Sequence, residues 1–352
     1  MDKGKKTISR YGVGITIVLC LVILGSFVFF TKIYKTEKDD GKLVIGFCAD
    51  NLVIERWQRD QEIFQAEAKK KNVEVIVYNA NEDNEIQNQQ IRLLIEKKVD
   101  VMVVIPYDKD GISEAIGEAK KAGIKVIAYD RLINNADIDA YISFDNVKVG
   151  ELQAIALVKA VPKGNFILIN GSPDDNNSFM FRQGYLNILQ PYIDSGDITI
   201  IEDIWAENWR EEPAYDIVSK TLSKNQEINA IIGANDRLAE AAIQALSEKG
   251  LGGQIFVAGH DADISACQRI VEGTQYVTVY KPIRLLAESA VDLAIRLASG
   301  QEISKQEIIN NGLKDVPYIK LDVLSVMKDT IDDTVIKDGF HQREDIYRNE
   351  SN

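Results

Sequence analysis

Apolar, β-branched runs alternate with helical patterns along the chain after residue 42. The first half carries KLVIGFC, VEVIVYN, VDVMVVIP, KVIAYD and AYISF. The second half carries NFILIN, ITIIEDIW, AIIGAN, QIFVAG and QYVTVY. Between them lie amphipathic stretches such as 62–71, 85–98 and 112–122, the last closed by Gly123. Strands that are apolar on both faces predict a parallel sheet covered on both sides. Strand and helix in alternation predict doubly wound α/β architecture. The series restarts at Asn165, after a helix around 150–161, and 352 residues exceed one core of ordinary size. Two lobes of about five strands each are therefore expected.

The N-terminus breaks this pattern. Tyr11 to Phe30 is a run of twenty residues without a charge, the length of one helical crossing of a ~30 Å hydrocarbon layer. It ends in FVFF with no small-residue cleavage pattern, and Cys20 follows Leu19, where a lipoprotein site needs a small residue. The expectation is an uncleaved anchor over 11–30, with a cytoplasmic 1–10 and a short tether over 31–42. That tether reaches at most ~40 Å when extended, so the body is expected close to the bilayer.

Charge and composition then remove several function classes. The net charge is −13, and the first 42 residues hold +4 of it, which leaves −17 on the body. Nucleic-acid binding needs the opposite sign. Three cysteines and two histidines at unrelated spacings support neither a disulfide framework nor a zinc site. No glycine-rich phosphate cradle follows any strand, so no nucleotide cofactor is implied. A repressor of two-lobed type would need a basic helix-turn-helix head where the apolar run stands.

The residues beyond the strand ends share one chemistry. Ligands of open α/β sheets bind there. After KLVIGFC come Arg56 and Trp57; KVIAY ends in Asp130 and Arg131; AYISF ends in Asp145 and Asn146. NFILINGSP leads to Asp174, Asp175, Asn176 and Asn177, and Trp209 follows ITIIEDIW. AIIGA ends in Asn235 and Asp236, QIFVAGH in Asp261, and QYVTVY in Lys281. A sugar hydroxyl is one donor and two acceptors, and charged partners bind it most strongly. The flat C–H faces of a pyranose suit aromatic rings. Each residue alone fits a plainer role: an Asp or Asn as helix cap, a Trp as packing, Asp130–Arg131 as a local ion pair. The case rests on eight strand ends with the same character. Two facing carboxylates, Asp130 and Asp261, raise glycoside hydrolysis as a rival, but neighbouring Arg and Lys would keep both ionised and remove the general acid.

The segments ERWQRD, AYDRLINNADIDAYISFDNVKVGELQA, GSPDDNN, TVYKP and NNGLKDVP carry a family resemblance from about Lys42 to about His341. The chain resembles the periplasmic sugar-binding proteins of ribose/galactose/xylose type, with the xylose-binding members nearest. The resemblance implies a type I periplasmic binding protein: two Rossmann-like lobes joined by a three-segment hinge. On it, residues 43–145 and 282–313 form an N-terminal lobe, 146–281 and 314–345 a C-terminal lobe, and 346–352 a tail. The charged stretch after Asp338 is expected as a solvated end. The resemblance places Arg56, Asp130, Arg131, Asp175, Asn177, Asn235, Asp261 and Lys281 on the hydroxyls of D-xylose, with Trp57 and Trp209 on its ring faces. Asp145, Asn146, Asp174, Asn176 and Asp236 become neighbours. Two features depart from the family: His260 stands before Asp261, where an uncharged side chain is expected, and the anchor replaces a cleaved signal or lipid. An anchored receptor is expected to report xylose to a membrane sensor histidine kinase, the alternative partner being the permease of an ABC importer.

Overall fold

A computed structural model describes residues 41–52, 55–303 and 307–348. The expected anchor at 11–30, the segment 1–10 and nearly all of the tether lie outside the described residues. Among the described residues, no helix is long and apolar enough to cross a membrane.

The first sheet contains β1 (Val44–Ala49), β2 (Glu74–Asn79), β3 (Val101–Val104), β4 (Lys125–Tyr129) and β5 (Ala140–Phe144). Two late strands, β11 (Ile308–Asn310) and β12 (Asp315–Leu321), complete the order β2-β1-β3-β4-β5-β12-β11. All pairs are parallel except β11 with β12. Alternate residues feed two cores. Ile45, Phe47, Val101 and Val103 pack on the side of Phe64 and Leu286; Cys48, Met102 and Val104 pack on the side of Ile91 and Ile116. Helices α1 (Glu55–Lys70) and α9 (Ile283–Ala298) cover one face, and α2 (Asn84–Glu96) and α3 (Ser113–Lys121) the other.

The second lobe repeats the plan. Strands β6 (Gly164–Asn170), β7 (Ile198–Trp205), β8 (Ala230–Gly233) and β9 (Phe256–Ala258) run parallel in the order β7-β6-β8-β9. A parallel bridge from Ala258 to Val277 leads to β10 (Thr278–Tyr280), which pairs antiparallel with β13 (Leu324–Val326). Helices α4 (Asn146–Ala160) and α5 (Asn176–Asp194) pack on each other very closely. A Cβ on Gly150 would meet the Phe181 carbonyl oxygen at 2.0 Å, and one on Gly184 the Val147 carbonyl oxygen at 2.1 Å. The remaining helices of this lobe are α6 (Glu212–Ser223), α7 (Asp236–Ser247), α8 (Ile264–Glu272) and α10 (Arg343–Ile346).

The chain passes between lobes three times: from β5 to α4, from β10 to α9, and from β12 to β13. The first lies at Asp145 and the second at Lys281–Pro282. The third differs from expectation: residues 314–321 are expected in the C-terminal lobe, but Tyr318 to Leu321 pair with Tyr141 to Phe144 of β5. The third passage therefore lies at Asp322–Val323. The stretch after Asp338 also departs from expectation, because it is not a free solvated end. His341 and Ile346 are buried, the Phe340 ring packs tilted against Tyr280 at 4.9 Å, and α10 packs on α8. Three apolar or aromatic anchors suffice to hold a segment whose charges point outward.

Candidate functional site

Sheet order reverses at β1 in one lobe and at β6 in the other, so a crevice opens beyond the carboxyl ends of both sheets. Into it come Arg56 and Trp57 from the first turn of α1, and Asp130 and Arg131 from the end of β4. Asp175 and Asn177 enter at the start of α5, and Trp209 in the loop after β7. Asn235 caps α7, while Asp261 and Lys281 follow β9 and β10. All ten line one cleft. Some plainer roles hold as well: Asp175 accepts from the Asn177 amide at 2.9 Å, and Asn235 from the Leu238 amide at 3.0 Å. Asp145 caps α4 at Lys148 and pairs with Lys320 at 3.5 Å, and is not among the residues that line the cleft. Asp236 is buried behind the wall, and Asn176 reaches Asn134 at 2.8 Å.

Phe181, Arg237, His260 and Asp263 also line the cleft. Of these, the sequence singled out only His260, and as a neighbour. Helical spacing could have found Phe181, which stands four residues after Asn177 on the same face of α5.

The two arginines are each held by several carboxylates. Arg56 hydrogen-bonds Asp130 through Nη2, and its Nε lies 3.3 Å from Asp60. Arg131 meets Asp50 at 2.8 Å and Asp175 at 2.8 Å. The Trp57 ring lies between them, 4.5 Å from the Arg56 guanidinium carbon and 5.5 Å from that of Arg131. At the start of α1, Arg56 thus faces Asp130 in its own lobe and Asp261 in the other, with the Trp57 ring packed against its guanidinium.

The lobes touch across the cleft. Besides Arg131–Asp175, the Asn177 side-chain amide donates to the Asp130 carbonyl at 3.0 Å, and Arg56 Nη1 lies 3.6 Å from Asp261. At the rim, the Tyr107 hydroxyl donates to Asn208 at 2.9 Å, and Lys109 Nζ to the Pro173 carbonyl at 2.7 Å. The arrangement is that of closed lobes.

Three cleft residues other than glycine hold left-handed backbone: Asp130 (φ 62°), Trp209 (φ 57°) and Asp261 (φ 103°). Such backbone costs on the order of 1 kcal/mol or more and persists where surrounding contacts impose it. Here the Asp130 amide donates to the Ile142 carbonyl at 2.8 Å and the Asp261 amide to Val279 at 2.9 Å. Gly171 makes room for Trp209, since a Cβ there would sit 2.2 Å from the indole.

Four carboxylates and four Arg or Lys line the cleft, so its charge suits a neutral polar ligand. Burial alone would raise the Asp261 carboxyl. Lys281 at 2.8 Å, with His260 and Arg56 beside it, more than offsets that and holds it well below the usual carboxylate range. Burial and the nearby Lys281 push the His260 imidazole well below its ordinary value, so it is neutral and packs on Phe181 at 4.4 Å. Burial raises the Asp175 carboxyl against the pull of Arg131. Asp261 is thus held ionised by the cations beside it, and Asp130 hydrogen-bonds Arg56.

The model for the family described as periplasmic binding protein domain matches residues 45–302. The chain is 50% identical over 303 residues to the D-xylose-binding periplasmic protein of Escherichia coli strain K12, covering 86% of this chain and 92% of that one. Its counterpart in Haemophilus influenzae is 46% identical over 316 residues, with coverages of 90% and 95%. Among solved structures, a carbohydrate transporter solute binding protein from Chloroflexus aurantiacus in complex with D-glucose superposes with a TM-score of 0.81. It is 27% identical, covering 86% of this chain and 98% of that one.

Proposed function

The chain belongs to the periplasmic binding protein domain family, a sugar-binding protein and not an enzyme, and on that premise we propose that its sugar is D-xylose. In this reading the sugar enters between open lobes and each lobe supplies part of its hydrogen-bond shell. Arg56, Asp130, Arg131, Asp175, Asn177, Asn235, Asp261 and Lys281 serve its hydroxyls, while Trp57 and Trp209 cover its ring faces. Closure then buries it. The carrying observation is that all ten of these residues line a single cleft of balanced charge. The names and 46–50% identity of the two relatives support xylose in particular. A pentose is selected over glucose sterically: an exocyclic hydroxymethyl group that keeps the lobes apart forfeits the contacts of the second lobe.

Output follows from a partner that reads the closed surface, through its differential affinity for the two states. The uncharged run from Tyr11 to Phe30 favours a receptor anchored in the membrane, sugar-binding lobes outside, that reports xylose to a sensor histidine kinase. The second reading is delivery to the permease of an ABC importer. It is favoured by the transporter binding proteins among the structural relatives. Tryptophan fluorescence of the full chain in detergent, titrated with D-xylose, tests the binding step, because two of the three tryptophans line the cleft. A saturable change supports the reading and an unchanged spectrum speaks against it. Crosslinking in native membranes separates the outputs: xylose-dependent capture of a kinase favours sensing, and capture of a permease favours import.

A further inference from the structure

Asp60 lies wholly buried beneath the cleft and is not among the residues that line it. It stands one turn after Arg56 on α1, and its Oδ2 is 3.3 Å from Arg56 Nε. Its other oxygen accepts from the Tyr129 hydroxyl, at the end of β4. Tyr129 is the residue before Asp130, and its ring packs against Phe47 at 5.7 Å and Phe64 at 6.4 Å. Arg56 in turn hydrogen-bonds Asp130. The four residues form a closed ring, Asp60–Arg56–Asp130–Tyr129, in which Asp130 also carries left-handed backbone (φ 62°). A buried carboxylate is costly unless its bonds are met, and this one is met only while Arg56 and Tyr129 keep these positions.

We propose that Asp60 is a positioning residue of the sugar site: without touching sugar, it aims the Arg56 guanidinium and fixes the strand end that presents Asp130. The proposal rests on the xylose-binding reading above. Arg56 also faces Asp261 across the cleft, 3.6 Å from its Nη1, and helix α1 alone leaves a long arginine side chain several rotamers. The bond to Nε from within the same helix selects one of them and leaves the two terminal nitrogens for the cleft.

The test is a double-variant cycle on the full chain in detergent, with the dissociation constant for D-xylose as readout. Asp60→Asn keeps the shape and removes the charge. It is expected to raise the constant about tenfold to a hundredfold, the range of a lost charge-assisted hydrogen bond. In an Arg56→Lys background, where there is no Nε to aim, the same change is expected to cost less than about threefold. A merely structural role would cost the same in both backgrounds, and that result overturns the proposal. So does an unchanged constant in Asp60→Asn alone. A crystal structure of Asp60→Asn supplies the second readout: Arg56 turned away from Asp130 supports the proposal, and Arg56 in place overturns it. If Asp60→Asn does not fold, Tyr129→Phe takes its place in both measurements. If the unaltered chain binds no pentose, the xylose reading fails by itself, and the crystal structure alone decides the positioning role.

Discussion

Arg131, at the end of β4 in one lobe, lies 2.8 Å from Asp175, at the start of α5 in the other. Both are almost fully buried, and Arg131 also meets Asp50 at 2.8 Å in its own lobe. A cation that belongs to one lobe and completes its bonding on the other is a latch that only the closed state satisfies. Removing Asp175 leaves Arg131 matched only within its own lobe, so closure loses one buried charge-assisted pair, about 1.5–3 kcal/mol. Asp175→Ala is therefore expected to weaken D-xylose binding by about tenfold to a hundredfold, as calorimetry would measure. An affinity within threefold of the unaltered chain would show that the latch does not matter.

Trp57 is buried between two guanidinium groups and lines the cleft. On the proposed reading its ring and that of Trp209 cover the two faces of the sugar. Trp57→Ala is expected to weaken binding by about thirtyfold or more, the loss typical of a central aromatic contact. Trp57→Phe, which keeps a ring, is expected to recover part of that. Equal losses in both variants would argue against stacking.

Gly171 predicts a backbone effect at a distance from any hydroxyl. Ser178 Oγ and the Trp209 indole both lie within 2.5 Å of where a Cβ would stand. Gly171→Ala must displace Trp209, whose own backbone is already in the left-handed region. Xylose affinity is expected to fall about tenfold while the far-ultraviolet circular dichroism stays the same. An Ala variant with full affinity would mean that the second ring face is dispensable.

Two buried carboxyls set the direction of pH dependence. Burial raises Asp60 from 3.8 to about 6 and Asp236 from 3.8 to about 7. Both bind protons more tightly folded than unfolded, so their contribution to stability is complete below about pH 4. It is lost as pH rises through about 6 and about 7. Asp261, held down by Lys281, acts in the opposite sense below the ordinary carboxylate range, and His260, held neutral by burial, acts in the opposite sense below about pH 6.5. Above that pH the raised carboxyls act alone, so the sugar-free protein is expected to melt higher at pH 6.5 than at pH 8, by about 1–3 °C. Asp236→Asn should remove most of that difference. A melting temperature that rises from pH 6.5 to pH 8 would contradict the assignment.

Much of this was legible before any coordinates. Strands β1, β3, β4, β5 and β8 are nearly continuous apolar runs, because inner strands of a sheet covered on both faces need them. The ten cleft residues stand among the fifteen that follow strand ends, which in this architecture point at one place, and the family resemblance separates them from the other five. The late strands were not legible. β11 and β13 are three residues long, and β12 reads DVPYIKL, a proline and charges at a sheet margin that resemble a loop. The third passage between lobes was misplaced for that reason. Phe340, His341 and Ile346 are single anchors among charged neighbours, with no period to betray them. Asp60 and Asp50 were overlooked because a charged residue near a helix start is ordinarily solvated. Only the folded chain shows that each is buried against an arginine.

Calorimetric titration of the full chain with D-xylose, D-ribose, L-arabinose and D-glucose tests the proposed sugar site most directly. D-xylose is expected to bind tightly and one-to-one, with D-glucose weaker by at least about a hundredfold because its extra carbon prevents closure. Binding of D-glucose as tight as that of D-xylose, or no binding of any pentose, would contradict the xylose reading.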